Sequence, residues 1–195
     1  MYHLLIALLF AFAPATSLLD LDGMVTPSGL PDGWEVRPVK GQSAPDYRVL
    51  ETEDGRRALR VSGQGAAAWA TRKLPQPIPP GAGRLRWSWR VLELPQAADL
   101  RVQRVDDSAL RVYVVFGNPG KLFNSSGRIV FYSWGNAEPE GLTMPSHVSD
   151  PFADYRRLWN REPPPITAVG LMQDTDMTHS MAVAEFRDLT WTPQP

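Results

Sequence analysis

Along most of this chain, bulky apolar residues alternate with polar ones at period two. The pattern is cleanest in residues 84–92, where Leu85, Trp87, Trp89 and Val91 share one face and Arg84, Arg86, Ser88 and Arg90 share the other. Two inward tryptophans remove about 150–250 Å² each from water, enough to anchor a core. In Ala109–Phe116, Leu110, Val112, Val114 and Phe116 form one face. Ala109, Arg111, Tyr113 and Val115 form the other, itself half apolar, which predicts a central strand. Arg128–Trp134 repeats the theme. Shorter runs at Trp34–Val39, Tyr47–Thr52, Arg57–Ser62 and Ala66–Arg72 are separated by turn residues such as Pro31-Asp32-Gly33 and Glu53-Asp54-Gly55. Ile166–Gln173 and Met181–Trp191 complete the set.

One helix is predicted near 151–160. Asp150 suits the N-cap and Pro151 the first helical position, Phe152, Tyr155, Leu158 and Trp159 recur at helical spacing, and Pro163-Pro164-Pro165 ends the run. Leu74–Gly83 carries Pro75, Pro77, Pro79 and Pro80, so it reads as an extended connection, not a helix or a central strand. Short strands, frequent turns and a single helix predict an all-β fold. We expect an antiparallel β-sandwich, jelly-roll-like in its crossing connections, formed by residues 34–192 as one domain after a leader at 16–33.

The 195 residues suffice for one core, and a net charge of -1 gives no basic stripe. The arginines are interleaved with aromatics on strands, which excludes nucleic acid as the expected partner. The absence of cysteine excludes disulfides, thiolate metal sites and a lipidated cysteine. Leu4–Phe12 has the length of a signal-peptide apolar region, and Ala13-Pro14-Ala15 is a small-x-small cleavage site. The run is short for ~30 Å of hydrocarbon. A signal peptide at 1–15 is therefore expected, with a periplasmic or extracellular location and no stable membrane span after cleavage.

Chemistry is sought first in two acidic loops. Asp106 and Asp107 precede the strand at Ala109, and Asp174 and Asp176 follow the strand ending at Gln173. Such carboxylates cap turns, hold a hard cation (structural calcium at Asp174 and Asp176 is the cofactor considered), or supply a general acid and base. The spacing is not an EF-hand loop. Arg90 and Arg111 lie on the more polar faces of what read as neighbouring strands. They present forked donors to a carboxylate, a phosphate or sugar hydroxyls, or else pair with Asp106, Asp107 or Glu185. Tyr113, Tyr132 and Trp134 are candidates for an aromatic platform, while Trp87 and Trp89 read as core. Two mature histidines, His147 and His179, are too few for zinc, and no nucleophile elbow, phosphate loop or dinucleotide fingerprint is present.

The ordered motifs Trp87-Ser88-Trp89-Arg90-Val91, Asp106-Asp107-Ser108-Ala109-Leu110-Arg111-Val112-Tyr113-Val114-Val115-Phe116, Tyr132-Ser133-Trp134-Gly135-Asn136 and Asp174-Thr175-Asp176 resemble domain-of-unknown-function family 3047, a family of exported bacterial proteins. The likeness runs from about Trp34 to Trp191. It implies a single exported β-sandwich with no established activity, similar in fold to lectin and glycanase jelly rolls. Two departures stand out. Members carry a further apolar strand where Thr143–Asp150 leads straight to Phe152 here, so a strand is expected to be missing. Met177 also occupies a position where a small polar residue is expected.

Together these features lead us to expect a non-catalytic binding domain for a glycan or other polar cell-envelope ligand. The expected groove is lined by Arg90, Arg111, Tyr113 and Trp134, with Asp106, Asp107, Asp174 and Asp176 at its rim. The alternatives are a glycoside hydrolase or lyase using paired aspartates, or Asp107 with Glu185, and a structural envelope protein with no small ligand.

Overall fold

The computed structural model describes residues 14–81, 83–118, 128–133 and 144–194. Its strands form two antiparallel sheets. The first runs in the order β3 (Asp46–Glu51), β4 (Arg57–Gln64), β11 (Met181–Pro193), β6 (Gly83–Glu93) and β9 (Ser146–Ser149), with the short β1 (Thr16–Ser17) also pairing β11. The second runs β2 (Trp34–Pro38), β5 (Ala67–Ile78), β10 (Ile166–Asp174), β7 (Ser108–Phe116) and β8 (Arg128–Ser133). The expected antiparallel sandwich is the observed fold. Most neighbouring strands are far apart in sequence, so the connections cross between sheets.

Period-two alternation becomes burial between the sheets. Leu85, Trp87, Trp89 and Val91 of β6 share one buried core with Leu110, Val112, Val114 and Phe116 of β7, Leu171 of β10 and Phe186 of β11. Gln173 ties the two layers polar-side: its buried Nε2 lies 3.3, 3.0 and 3.3 Å from the carbonyls of Val61, Ala109 and Ala182. Residues 16–33 lack a period, yet Leu18, Leu19 and Leu30 are buried in the same core. The helix α1 (Pro151–Trp159) closes one end, with Asp150 accepting from the Ala153 amide at 3.0 Å and Asn160 in the left-handed region stopping it. Its Phe152 and Tyr155 rings lie 5.8 and 4.7 Å from Phe116.

Three expectations are corrected. First, β5 continues through Pro75 and Pro77. Its ladder with β10 pairs Lys73 with Ala168 and then jumps to Ile78 with Ile166, and β2 ends opposite Arg72, so the prolines occupy an irregular stretch where no ladder donor is required. Second, the strand expected to be missing before the helix is present as β9, on the edge of the first sheet. Third, β6 and β7 are not neighbours. The segment 94–107, with a turn of 3-10 helix at Gln103–Val105, carries the chain from one sheet to the other.

Candidate functional site: the outward face of the second sheet

Strand register sets out this face row by row. One row runs Arg37, Trp69, Met172, Arg111 and Ser133 across β2, β5, β10, β7 and β8. The next runs Glu35, Thr71, Gly170, Tyr113 and Phe131. Because Gly170 has no side chain, the Tyr113 ring crosses over it, and a Cβ there would overlap the ring. The Tyr113 hydroxyl shares a 2.5 Å hydrogen bond with Thr71 Oγ1 and donates to the Ala70 carbonyl at 3.1 Å. Burial pushes the phenol pKa well above its usual value, so it stays protonated. Trp69 meets Tyr113 edge-on at 5.2 Å, and Phe131 lies 5.7 Å from Trp69 and 6.0 Å from Tyr113. Tyr113, Val115, Ala168 and Met172 are buried beneath this layer as a second apolar cluster, separate from the main core. Phe131 remains 39% exposed and Trp69 partly so.

One end of this face is charged. Arg111 Nη1 lies 3.5 Å from Asp174, and its Nη2 donates to the Asp106 carbonyl and sits 3.9 Å from the Asp106 carboxylate. Asp107 is buried and accepts from the Met177 and Thr178 amides at 3.2 and 2.8 Å and from Thr178 Oγ1 at 2.6 Å. Its oxygens therefore cap the β10–β11 loop. Only the backbone of Met177 takes part, so its unusual side chain does not alter the cap. Carboxylate oxygens of Asp107, Asp174 and Asp176 fall within 4.8 Å of one another. That spacing suits a hard cation or a shared proton, and Arg111 already supplies positive charge to it. Burial pushes the Asp174 pKa up to about 7; Arg111 opposes the rise, while Asp176 and Asp107 add to it.

The structure thus brings Asp106, Asp107, Arg111, Asp174 and Asp176 together, with Tyr113 in the adjoining row. Arg90 does not join them. It lies on the outward face of the first sheet, where its Nε donates to Glu185 at 2.7 Å, so the groove expected between Arg90 and Arg111 does not form. For the same reason Asp107 and Glu185 belong to different sheets. Tyr132 points inward, its ring 5.2 Å from Trp87 and its hydroxyl donating to Asp154 at 2.8 Å. Trp134, its Gly135-Asn136 neighbours and residues 1–13 of the expected signal peptide lie outside the described residues. Sequence reasoning passed over Trp69, Thr71 and Phe131 as site residues. The available signal was parity: Trp69 and Thr71 alternate with the inward Ala70, and Phe131 with the inward Val130.

Two facing antiparallel sheets, with aromatics and a charged cluster on one outward face, make this a β-sandwich. The chain belongs to the family described as Protein of unknown function (DUF3047), whose model matches residues 32–152. In fold it is similar to the family 11 carbohydrate-binding module of the cellulosomal cellulase Lic26A-Cel5E of Clostridium thermocellum, with a TM-score of 0.57, 10% identity, and 95% of this chain and 97% of that one covered. It is also similar to a family 11 module from Clostridium thermocellum in complex with a β-1,3-1,4-mixed-linked tetrasaccharide, with a TM-score of 0.54, 10% identity and coverage of 92% and 95%. A third similar structure is the family 30 module of the cellulosomal cellulase Cel9D-Cel44B of Clostridium thermocellum, with a TM-score of 0.50, 14% identity and coverage of 81% and 94%. No curated protein matches the chain in sequence. At such identities the likeness establishes the fold.

Proposed function

We propose that this is an exported, non-catalytic domain that binds a glycan or another polar envelope ligand on the outward face of its second sheet. The observation that carries the reading is the aromatic layer: Trp69 and Phe131, 5.7 Å apart, stand on a sheet face beside the fixed guanidinium of Arg111. The C–H face of a sugar ring is apolar and stacks on such planes, while its hydroxyls accept from a guanidinium or donate to carboxylates. The fold's likeness to carbohydrate-binding modules supports the class. The apolar leader with its small-x-small site supports export, and no described helix is long and apolar enough to cross a membrane.

Affinity electrophoresis through gels containing a panel of neutral and envelope glycans tests this. Wild type is retarded by at least one glycan, and Phe131→Ser and Trp69→Ala lose that retardation while keeping their circular dichroism. Free migration of wild type in every gel, or unaltered retardation of both variants, sinks the reading.

A catalytic reading has one observation in its favour, the Asp174 carboxyl held near pH 7 beside Asp176. Since Asp107 is committed to its loop, the acid–base pair would be Asp174 with Asp176. Absence of product from every polysaccharide tested, or turnover unchanged in Asp174→Asn, removes it.

A further inference from the structure

We infer that the outward face of the first sheet is a second binding surface, for an anionic polysaccharide whose carboxylates are read by arginine. The site lies on the opposite side of the sandwich from the aromatic layer and does not depend on it.

A single cross-strand row carries Arg48, Arg60, Glu185 and Arg90 on β3, β4, β11 and β6. With strands ~4.8 Å apart it spans roughly 14 Å. Glu185 is 0% exposed and both its oxygens are taken. Oε1 accepts from Arg60 Nε and Nη2 at 3.1 and 2.6 Å, and Oε2 accepts from Arg90 Nε at 2.7 Å. One buried carboxylate therefore fixes two guanidiniums in place, which leaves less side-chain freedom to lose on binding. Arg60 still has 41% of its side chain in solvent.

Directly opposite Arg60 stands Arg48, 73% exposed, paired with Asp46 of its own strand at 2.6 Å. Like charges facing each other across strands are unfavourable in the free protein. Arg84 and Arg86 extend the charge along β6 on the same face. Arg84 pairs with Asp150, whereas Arg86 bonds the Ser146 hydroxyl at 3.4 Å and has no carboxylate partner among the described residues. With Arg187, which pairs with Asp54 at 2.7 Å and lies 3.6 Å from Asp188, six arginines of this face meet five carboxylates (Asp46, Asp54, Asp150, Glu185 and Asp188) among the described residues, on a protein whose net charge is -1. The row beside this one carries Leu50 and Ala58 on β3 and β4 and Arg187 and Ser88 on β11 and β6. Arg48, Arg60, Arg84 and Arg86 reach solvent around the buried Glu185 and Arg90.

The chemistry selects the ligand. Planar forked donors match planar carboxylates, and Arg does this where Lys acts only as a point charge; no described residue of the face is a lysine. A flat strip crossing four strands suits an extended chain with acidic groups at intervals, which describes a uronic-acid polymer. A membrane surface is served instead by flexible polybasic segments.

The test measures binding of the purified protein to polygalacturonate, to its fully methyl-esterified form, and to vesicles containing anionic phospholipid, each at two salt concentrations. Polygalacturonate binds and weakens with salt, and the esterified chain does not bind. The double variant Arg48→Gln/Arg86→Gln, two exposed positions that leave the Glu185 pairs intact, binds at least about tenfold more weakly. Phe131→Ser binds polygalacturonate like wild type. Equal binding of the esterified chain, an unaffected double variant, loss on Phe131→Ser, or binding to vesicles but not to polygalacturonate would each overturn the inference.

Discussion

Tyr113 lies across Gly170, and the hydroxyl of one reaches over the backbone of the other to Thr71 and Ala70. A methyl group on Gly170 would enter the phenol ring and also press on the Ala70 carbonyl, which is backbone and cannot swing aside. Gly170→Ala should therefore destabilise the fold by about 3 kcal/mol or more, lowering Tm by roughly 6–12 °C. Tyr113→Phe keeps the ring and loses only the two hydroxyl bonds, a cost of about 1 kcal/mol. Thermal unfolding followed by circular dichroism gives both values; a Gly170→Ala protein as stable as wild type shows the ring is not seated there.

Glu185 is the buried counter-ion of two arginines that differ in exposure. Replacing it with Ala leaves Arg90, nearly buried, without its carboxylate, and should cost about 3–5 kcal/mol. Arg60 is half in solvent, so Arg60→Ala should cost about 1 kcal/mol. Urea titrations of the two variants check the order. A larger loss for Arg60→Ala would mean that Arg90 does not depend on Glu185.

Asp150 serves the helix and the first sheet at once. It caps α1 through the Ala153 amide and accepts from Arg84 at 2.5 Å. Asp150→Ala should cost about 1–2 kcal/mol, most of it from the lost cap. Asp150→Asn should keep most of that, because an amide oxygen still accepts the amide bond. Equal losses in urea titrations of the two variants would locate the energy in the Arg84 pair instead.

Which face a strand presents was legible wherever the two sets of side chains differ sharply. Leu, Trp and Val against Arg and Ser in β6 leave one inward solution. Which sheet a strand joins was not. A sandwich has two outward faces, and parity alone places Arg90 and Arg111 equally well on either. The answer lies in segment 94–107, which has no period and no turn motif that marks a crossing. β9 was hidden for another reason. Ser146-His147-Val148-Ser149 has little apolar alternation, and its hold on the edge comes from tertiary contacts of His147, which accepts from Trp89 Nε1 at 2.7 Å and stacks on Trp87 at 5.8 Å. The acidic loops were easier. β7 begins at Ser108 and β10 ends at Asp174, and because the two strands are antiparallel and paired at those residues, their flanking acids converge.

That convergence makes Asp174 the group whose titration the fold alters most legibly. Its carboxyl is raised from 3.8 to about 7, first by burial, against the pull of Arg111 and with the push of Asp176 and Asp107. The folded protein therefore keeps a proton that the unfolded chain releases. Stability is fully present below the unfolded value near 3.8 and falls as pH climbs, with the loss complete above about 7. Asp174→Asn holds the neutral form at every pH. With chelator present, the variant should match wild type near pH 4 and become progressively more stable than it up to about pH 8, by on the order of 2 kcal/mol, or roughly 4–8 °C in Tm. Thermal melts of both proteins across that range decide it. A constant offset between the two curves would show that Asp174 is ionised throughout, and that Arg111, not burial, governs the charged end of the face.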